Sequence, residues 1–322
     1  MTDTDGEIIL ITGGAGFIGY HLASKLHRHS HQVKVLDNLS AAGSRERAVA
    51  LAREGVEIIE SDVRSPHALA RAAGKSNRIY HLAAFSSVAK SFENPRLDCQ
   101  VNVTGTVNVL ETARQLDAKV VFTSSSTVYG APQVTPTPED HPFKPVSFYG
   151  LSKHVAERYC RAYHESYGLP VVSLRLFNVY GPGAHTGVSY DFLRKLQADN
   201  RRLEVIGSGD QSKDFVYIDD TVEAIISSME KEAANGNAYN IGSGVTTNVV
   251  SLAKLILALL GLEGKTEIVL GRIEDWPGDV ALTHADISKA RRDLGWAPSV
   301  SLKDGIAKTI AWFLSIYGPV VR

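Results

Sequence analysis

A glycine-rich segment near the amino terminus constrains the fold of this chain more than any other feature. Residues 12–19 are Thr-Gly-Gly-Ala-Gly-Phe-Ile-Gly. The apolar run 8–11 before them is typical of a strand buried on both faces, and the pattern over 20–28 is typical of a helix. Glycines at a strand–helix junction let the backbone turn tightly and approach a diphosphate at the helix N-terminus. The segment therefore predicts a dinucleotide-binding unit.

The alternation of strands and helices continues along the first half of the chain. Further strand patterns lie at 32–36, 56–60, 78–82, 119–123 and 170–176. Because helical patterns separate them, we predict an α/β fold with a Rossmann-type, doubly wound parallel sheet. The ligands of such a sheet collect at the carboxyl ends of its strands, where the polar and glycine-rich motifs of this chain lie.

The alternation breaks after residue 180, and the later part of the chain suits a smaller α+β domain that binds the substrate. Residues 216–230 are predicted to form a helix that returns to the first domain. The two predicted domains are therefore interleaved. Residues 1–178 and 215–243 bind the dinucleotide, and residues 179–214 and 244–322 bind the substrate.

Charge and composition exclude several classes of partner. The 34 basic and 35 acidic residues give a formal net charge of −1, so no global field attracts nucleic acid or an anionic membrane. The only two cysteines, Cys99 and Cys160, fit no metal-site spacing, and we predict no metal ion. Residues 1–7 do not resemble a signal peptide, and the longest apolar run, 255–260, is too short to span a bilayer. We therefore expect a cytoplasmic protein.

The second predicted strand is followed by Asp37, within the distance of roughly 20 residues from the glycines that is expected of a ribose-binding acid. A carboxylate there accepts hydrogen bonds from both ribose hydroxyls and repels a 2′-phosphate, which favours NAD over NADP. Arg45, in the loop beyond, leaves a contact with such a phosphate open. The alternative role of Asp37 is that of a loop cap, which the neighbouring glycines disfavour.

Two later motifs carry proton-transfer chemistry. Tyr149 and Lys153 stand four residues apart, so on a helix they share one face. The lysine charge favours the phenolate, and we predict that it lowers the tyrosine pKa from about 10 towards neutrality. The serines at 124–126 follow a predicted strand and could hydrogen-bond the same alcohol. The pattern indicates removal of a hydroxyl proton while a hydride leaves its carbon, although a Tyr-x-x-x-Lys pair alone also occurs on solvated helix faces.

Together with the glycine segment, these motifs resemble those of the extended short-chain dehydrogenase/reductases, specifically the NAD-dependent nucleotide-sugar epimerases and dehydratases. The resemblance covers nearly the whole chain, through residues 12–19, 37–39, 62–63, 81–84, 124–130, 149–153, 175–182, 214–217, 239–244 and 277–280. It implies that NAD stays bound, oxidises C4 of the sugar to a ketone and later returns the hydride. It also implies a homodimer built on two helices of each subunit.

The resemblance implies a role for each site residue. Tyr149 is the general base, Lys153 tunes its pKa and contacts the ribose, and Ser125 steadies the reacting oxygen. The NAD-binding residues that it implies are Gly13, Gly16, Phe17, Ile18, Asp37, Asn38, Asp62, Val63, Leu82, Ala83, Ala84, Asn102, Ser124 and Lys153. The substrate-binding residues that it implies are Ser87, Ser125, Ser126, Tyr149, Asn178, Val205, Lys213, Arg272, Asp279 and Thr283.

The reaction that follows C4 oxidation depends on Ser126 and Thr127. The dTDP-glucose 4,6-dehydratases carry an Asp-Glu pair at these two positions, and the related decarboxylating enzymes carry a glutamate at the second. The pair supplies the acid and base that expel water, and hydroxyls cannot replace it at neutral pH. The resemblance therefore favours the 4-epimerases, in which the ketone rotates and accepts the hydride on its other face.

Three departures from the family pattern bear on the substrate. Thr283 stands where epimerases restricted to small hexoses carry a tyrosine, which leaves room for a 2-acetamido group and predicts UDP-N-acetylglucosamine or UDP-glucose. Lys213 and Trp276 replace two phosphate-binding arginines, for which Arg272 could compensate. In a shifted sugar pose, the C4 ketone would instead acidify C5–H and allow loss of water from C6, as in a 5,6-dehydratase. A non-catalytic NAD sensor is the remaining alternative, but such proteins usually lose the tyrosine or the lysine.

Overall fold

The computed structural model describes residues 8–271, 278 and 280–320. Its strands are β1 (Ile8–Thr12), β2 (Gln32–Asp37), β3 (Glu57–Glu60), β4 (Arg78–His81), β5 (Lys119–Ser125), β6 (Val171–Leu176), β7 (Asn178–Tyr180), β8 (Arg202–Val205), β9 (Ser212–Tyr217), β10 (Ala238–Ile241), β11 (Thr246–Asn248) and β12 (Glu267–Leu270). Its helices are α1 (Phe17–Arg28), α2 (Ser44–Glu54), α3 (Pro66–Ala73), α4 (Val88–Glu93), α5 (Pro95–Cys99), α6 (Gly105–Leu116), α7 (Phe148–Tyr167), α8 (Val188–Ala198), α9 (Ile218–Glu230), α10 (Val249–Leu259), α11 (Ser288–Leu294) and α12 (Leu302–Tyr317).

Seven strands form one parallel sheet in the order β10-β6-β5-β4-β1-β2-β3. The chain runs outward from β1 to β3, crosses back to β4 and continues outward in the other direction, so a topological switch point lies between β1 and β4. Alternate strand residues pack into opposite layers: Ile9 and Ile11 belong to one buried cluster and Leu10 to the other. The predicted Rossmann-type α/β fold is confirmed.

The smaller part of the chain is built on two further sheets. Strands β11, β9 and β7 form one of them, and β12 and β8 form the other. None of these five strands is predicted from the sequence, because each is short and pairs with a strand that is distant in the chain. The boundary predicted between residues 214 and 215 falls inside β9, and the helix predicted from residue 216 begins at Ile218. That helix, α9, then returns to pack on α1 and on the main sheet.

The apolar helix α10 is part of the core of the smaller part. It packs against α8, α12 and β8, and its Leu252, Ala253 and Ile256 side chains are fully buried. Within the described residues, no helix is both long and apolar enough to cross a membrane.

A buried histidine joins β1, β4 and α6 behind the main sheet's carboxyl edge. His81 Nδ1 accepts a hydrogen bond from Thr12 Oγ1 (2.7 Å), and its Nε2 donates to Thr106 Oγ1 (2.9 Å). This tautomer follows because the Thr106 hydroxyl already donates to the Asn102 carbonyl (2.6 Å) and therefore accepts from His81. Burial lowers the pKa of His81 to about 3, so the ring is neutral in the folded chain at neutral pH.

We expect the neutral His81 to make the stability of the fold depend on pH. The unfolded chain binds a proton at this histidine near pH 6.5, whereas the folded chain binds it only near pH 3. Between these values the unfolded state binds more protons, so the free energy of unfolding falls as the pH drops, by at most about 1.4 kcal/mol per pH unit from this group. His81→Gln should make that fall shallower, as measured by urea unfolding at several pH values. His67→Gln, at an exposed position of α3, is the matched control; an equal change of slope in both variants would contradict this role of His81.

Candidate active site

A cleft of about 630 Å³ opens at the switch point, along the carboxyl ends of β1 to β6. Its volume lies within the range that is usual for ligand-binding pockets. The predicted site residues that line it are Gly13, Gly16, Phe17, Ile18, Asp37, Asn38, Asp62, Val63, Leu82, Ala83, Ala84, Ser124, Ser125, Tyr149 and Lys153. The structure therefore brings most of the predicted cofactor residues together with the three predicted catalytic residues.

The glycine-rich loop approaches neighbouring backbone so closely that only glycine fits. Gly13 has a φ of +73°, and a Cβ there would lie 2.5 Å from the Ala83 backbone nitrogen. A Cβ on Gly19 would lie 2.2 Å from the Gly13 carbonyl oxygen. Helix α1 begins after Gly16 without a side-chain cap, so its first N–H groups can bind an anion. The loop fits the diphosphate of a dinucleotide.

Asp37 is held at the edge of the cleft by backbone groups. Its two carboxylate oxygens accept hydrogen bonds from the Ala15 N–H (3.0 Å) and the Leu39 N–H (2.8 Å). Burial raises the pKa of this carboxyl, and the two N–H groups and the nearby Arg47 oppose that rise. Each oxygen keeps a further lone pair with which it can accept a hydrogen bond from a ribose hydroxyl.

The arginines that line the cleft in the described part of the chain are Arg47 and Arg64, whereas the sequence suggested Arg45. Arg45 forms an exposed pair with Glu60 (3.3 Å) and does not line the cleft. Arg47, two residues later, is buried in the wall, and His185 lies there beside it. Sequence reasoning missed Arg47 because an arginine on a charged helix resembles a solvated side chain.

The serine stretch reaches the cleft at the end of β5. Ser124 Oγ is buried and has no hydrogen-bond partner in the described part of the chain, so a ligand can satisfy it. Ser125 Oγ accepts from the Thr127 hydroxyl (2.9 Å) and the Thr127 N–H (3.2 Å), and a hydrogen bond links it to Tyr149. Because Ser125 already accepts twice, its own proton is left to donate.

Burial shifts the pKa values of both Tyr149 and Lys153, and the shift of Tyr149 is opposite to the predicted one. Burial raises the pKa of Tyr149 to about 12, and the hydrogen bond to Ser125 opposes this only in part. Burial lowers the pKa of Lys153 to about 8, and its ammonium lies 4.6 Å from the centre of the Phe122 ring. In the chain on its own, the pKa of the phenol is therefore shifted in the direction opposite to the predicted one, because desolvation outweighs the hydrogen bond to Ser125.

Two predicted residues support the cleft from behind and do not line it. Asn102 is buried; its side-chain oxygen accepts from the Phe85 N–H (2.8 Å), and its amide donates to Ser152 Oγ (2.9 Å). It thereby fixes the loop that follows β4. Ser87 caps α4 by accepting a hydrogen bond from the Lys90 N–H (3.2 Å).

Four further predicted substrate residues, Ser126, Asn178, Lys213 and Thr283, do not line the cleft. Asn178 Nδ2 donates to Thr283 Oγ1 (3.1 Å), so both side chains are already engaged. The Lys213 ammonium donates to the Val280 carbonyl. Ser126 begins the single helical turn that follows β5.

Val205 departs most clearly from its predicted role. Its side chain is fully buried in the core, and its carbonyl accepts a hydrogen bond from the Gly271 N–H (2.7 Å). Residues of β8 are alternately exposed and buried, and Val205 is on the buried side, so its side chain is not available to a substrate. Predictions for Arg272, Trp276 and Asp279 lie outside the described residues.

Comparison with known proteins places the chain among nucleotide-sugar enzymes. The family model described as GDP-mannose 4,6 dehydratase matches residues 10–309. A UDP-glucose 4-epimerase of Mycolicibacterium smegmatis is 36% identical over 311 residues, which is 94% of this chain and 97% of that protein.

Two solved structures share the fold over almost their full length. A UDP-N-acetylglucosamine 4-epimerase of Methanobrevibacter ruminantium, in complex with UDP-N-acetylmuramic acid, has a TM-score of 0.87 and 30% identity, with 97% of this chain and 99% of that chain covered. A dTDP-glucose 4,6-dehydratase of Streptomyces venezuelae with NAD bound has the same TM-score and identity, with 98% and 100% covered.

We expect Gly13→Ala to disrupt the cleft more than the backbone conformation alone explains. Gly13 and Gly168 have nearly equal φ angles, +73° and +71°, but a Cβ at Gly168 would meet nothing within 4 Å. Gly168→Ala should therefore cost only the left-handed strain of about 1–2 kcal/mol. Gly13→Ala should cost at least about 2 kcal/mol more and should abolish dinucleotide binding, because the Ala83 backbone must move. Urea unfolding and NAD titration would measure both effects, and similar results for the two variants would contradict this account of the loop.

Proposed function

This chain belongs to the extended short-chain dehydrogenase/reductase family of NAD-dependent nucleotide-sugar epimerases and dehydratases, and we propose that it is a 4-epimerase of a UDP-hexose. When bound in the cleft, NAD would supply a reversible hydride acceptor for C4 of the sugar, and its oxidised ring would add a positive charge to the cleft. Tyr149 removes the proton of the C4 hydroxyl, and Ser125 donates a hydrogen bond to the same oxygen. Lys153 lies one helical turn from Tyr149 and contributes charge that favours the phenolate.

The distribution of carboxylates carries the proposal of epimerisation. Among the described residues of the cleft wall, the carboxylates are Asp37 and Asp62, at the ends of β2 and β3. Strand β2 is three strands from β5, which corresponds to about 14 Å at the spacing of parallel strands. Neither acid can therefore serve the sugar beside Ser125. Thr127, at the position of the glutamate in the dehydratases, instead holds the Ser125 hydroxyl.

The proposed substrate is UDP-N-acetylglucosamine or UDP-glucose. The Thr283 side chain is small, and its hydroxyl is held by Asn178 (3.1 Å) and by the Asp214 N–H (3.3 Å), so it points into the protein's own hydrogen-bond network. A short side chain fixed in this way supports a pocket with room for a 2-acetamido group. The relatives named for these two substrates support the same choice.

Dehydration is the second candidate, and one observation favours it. The Lys213 ammonium is engaged with the Val280 carbonyl, where the family pattern has a bidentate arginine. A single ammonium grips a diphosphate less rigidly than a guanidinium fork, which permits the shifted sugar pose that elimination from C5 and C6 requires.

The product of UDP-N-acetylglucosamine and UDP-glucose turnover in deuterated water distinguishes the two reactions. Epimerisation should give a product of unchanged mass with no solvent deuterium on carbon, because the same hydride leaves and returns. Tyr149→Phe should keep NAD but reduce kcat by about 10²–10⁴-fold. Mass spectrometry of the products would measure their mass and NMR the position of any deuterium, and the rate at which product forms would give kcat. Loss of the mass of one water, or deuterium at C5, would replace epimerisation with dehydration.

We further propose that a second copy of the chain covers an exposed apolar stripe on α7. Phe148, Leu151 and Tyr159 are between 43% and 47% exposed and lie at helical spacing on one face. Phe92 of α4 extends the stripe, with its ring centre 5.6 Å from that of Phe148. A contiguous apolar surface of this kind is typical of an interface, and it supports the homodimer, built on two helices of each subunit, that the family resemblance implies.

Leu151→Glu should convert a dimer into a monomer, because a charge would be buried at the centre of the interface. Light scattering after gel filtration would measure the mass. Val49→Glu, on the exposed face of α2, is the matched control and should leave the mass unchanged. A wild-type monomer, or a Leu151→Glu variant that remains dimeric, would contradict the proposal.

A further inference from the structure

Arg47 is a buried cation in the cleft wall. Most of its N–H groups donate hydrogen bonds to backbone carbonyl groups. Its Nε donates to the Ala15 carbonyl (2.8 Å), and one terminal nitrogen donates to the Ala42 carbonyl (2.8 Å). The other terminal nitrogen donates to the Gly183 carbonyl (3.2 Å) and to His185 Nδ1 (3.1 Å). A guanidinium has five N–H donors, so four are satisfied and one remains.

These contacts fasten the glycine-rich loop to a turn that leads into the smaller part of the chain. Ala15 lies within the loop, whereas Gly183 and His185 lie in the turn between β7 and α8. A second tie reinforces the first, because His21 Nε2 on α1 is hydrogen-bonded to the Pro182 carbonyl (2.9 Å). The turn is therefore attached to the loop before α1 through Arg47, and to α1 itself through His21.

The far side of this turn is anchored by aromatic packing. The His185 ring packs edge-on against Tyr190 (5.7 Å between ring centres) and Trp312 (5.8 Å). The ring also approaches Gly43 so closely that a Cβ there would lie 2.5 Å from His185 Cε1. Arg47 thus joins the Rossmann part to a preformed aromatic cluster.

The charge of Arg47 is not neutralised by a direct partner. Within the described ranges, no hydrogen bond or ion pair joins its guanidinium to a carboxylate, and the oxygens of the nearby Asp37 accept backbone N–H groups. A buried charge without an ion pair is costly, and an anion bound in the adjoining cleft would offset that cost. The anion-binding end of α1 lies next to Ala15, which Arg47 contacts directly.

We propose that Arg47 is a cofactor-retaining residue that fastens the 181–187 turn across the glycine-rich loop and balances the charge of the cofactor diphosphate. The proposal concerns the bound dinucleotide and holds whichever reaction follows C4 oxidation. It accounts for a buried arginine whose guanidinium donates hydrogen bonds to carbonyl groups and to a histidine but to no carboxylate in the described part of the chain.

Binding of ADP and of adenosine to matched variants tests the charge. Arg47→Gln and Arg45→Gln remove the same charge from the same helix, but Arg45 is exposed and pairs with Glu60. With Arg47→Gln, calorimetry should show ADP binding weakened by about tenfold and adenosine binding changed less than about twofold, since only ADP carries the diphosphate. Arg45→Gln should leave both affinities near wild type. Unchanged ADP binding, an equal loss of ADP and adenosine, or an equal effect at Arg45 would overturn the proposal.

Retention of NAD by the purified protein tests the fastening of the turn. The fraction of Arg47→Gln that still carries NAD after prolonged dialysis should be lower than that of wild type, as measured by chromatography of the released nucleotide. Arg47→Lys keeps the positive charge but loses the planar guanidinium group with its several N–H donors. This variant replaces Arg47→Gln in the test if Arg47→Gln does not fold. It should release NAD faster than wild type, and release at the wild-type rate would overturn the proposal.

Discussion

The close approach of the glycine-rich loop to the end of β4 fixes the geometry on which the cleft depends. Gly13 lies against the Ala83 backbone, and directly behind this contact Thr12 donates to His81. Strands β1 and β4 flank the switch point, so the contact brings the start of α1 and the loop after β4 to the same edge. Through Thr106, the same hydrogen-bond chain extends into α6. One chain of buried hydrogen bonds between neutral groups therefore holds both the glycine-rich loop at the floor of the dinucleotide site and the loop after β4 in its wall.

Desolvation, more than the pairing of Tyr149 with Lys153, sets the protonation states in the chain on its own. A phenol with a pKa of about 12 and an ammonium with a pKa of about 8 are both shifted towards their neutral forms. Very little of Tyr149 is therefore in the phenolate form that accepts a proton at neutral pH, and further positive charge in the cleft would raise that fraction, since a nearby cation favours the phenolate. The orientation of the reacting groups, by contrast, is already built: Thr127 holds the Ser125 hydroxyl so that its proton remains to donate.

The parts of the structure that sequence predicts are those specified by local pattern. The long apolar strands of the main sheet, the glycine-rich loop and Asp37 follow from periodicity and spacing, and the structure brings the predicted groups together in the cleft. The five short strands of the smaller part escape prediction because their pairing partners are distant in the chain. Val205 and Asn102 were predicted as contacts, but tertiary packing turns the first into the core and uses the second to hold Phe85. The raised pKa of Tyr149 depends on burial, which spacing along a helix does not reveal.

A short stretch of chain connects the two halves of the site physically. Asn178, which donates to Thr283 near the proposed sugar pocket, begins β7, and Gly183, which accepts from Arg47 beside the dinucleotide loop, lies in the turn directly after that strand. Strand β7 pairs with β9, so the stretch cannot shift without disturbing the sheet of the smaller part. We therefore expect a change in the contacts of Arg47 to act, over this one strand, on the residues proposed to hold the sugar. Because one end is hydrogen-bonded to the Asp214 carbonyl and Thr283, and the other to Arg47, we expect the relative position of the proposed sugar site and the cofactor cleft to depend on the register of this single strand.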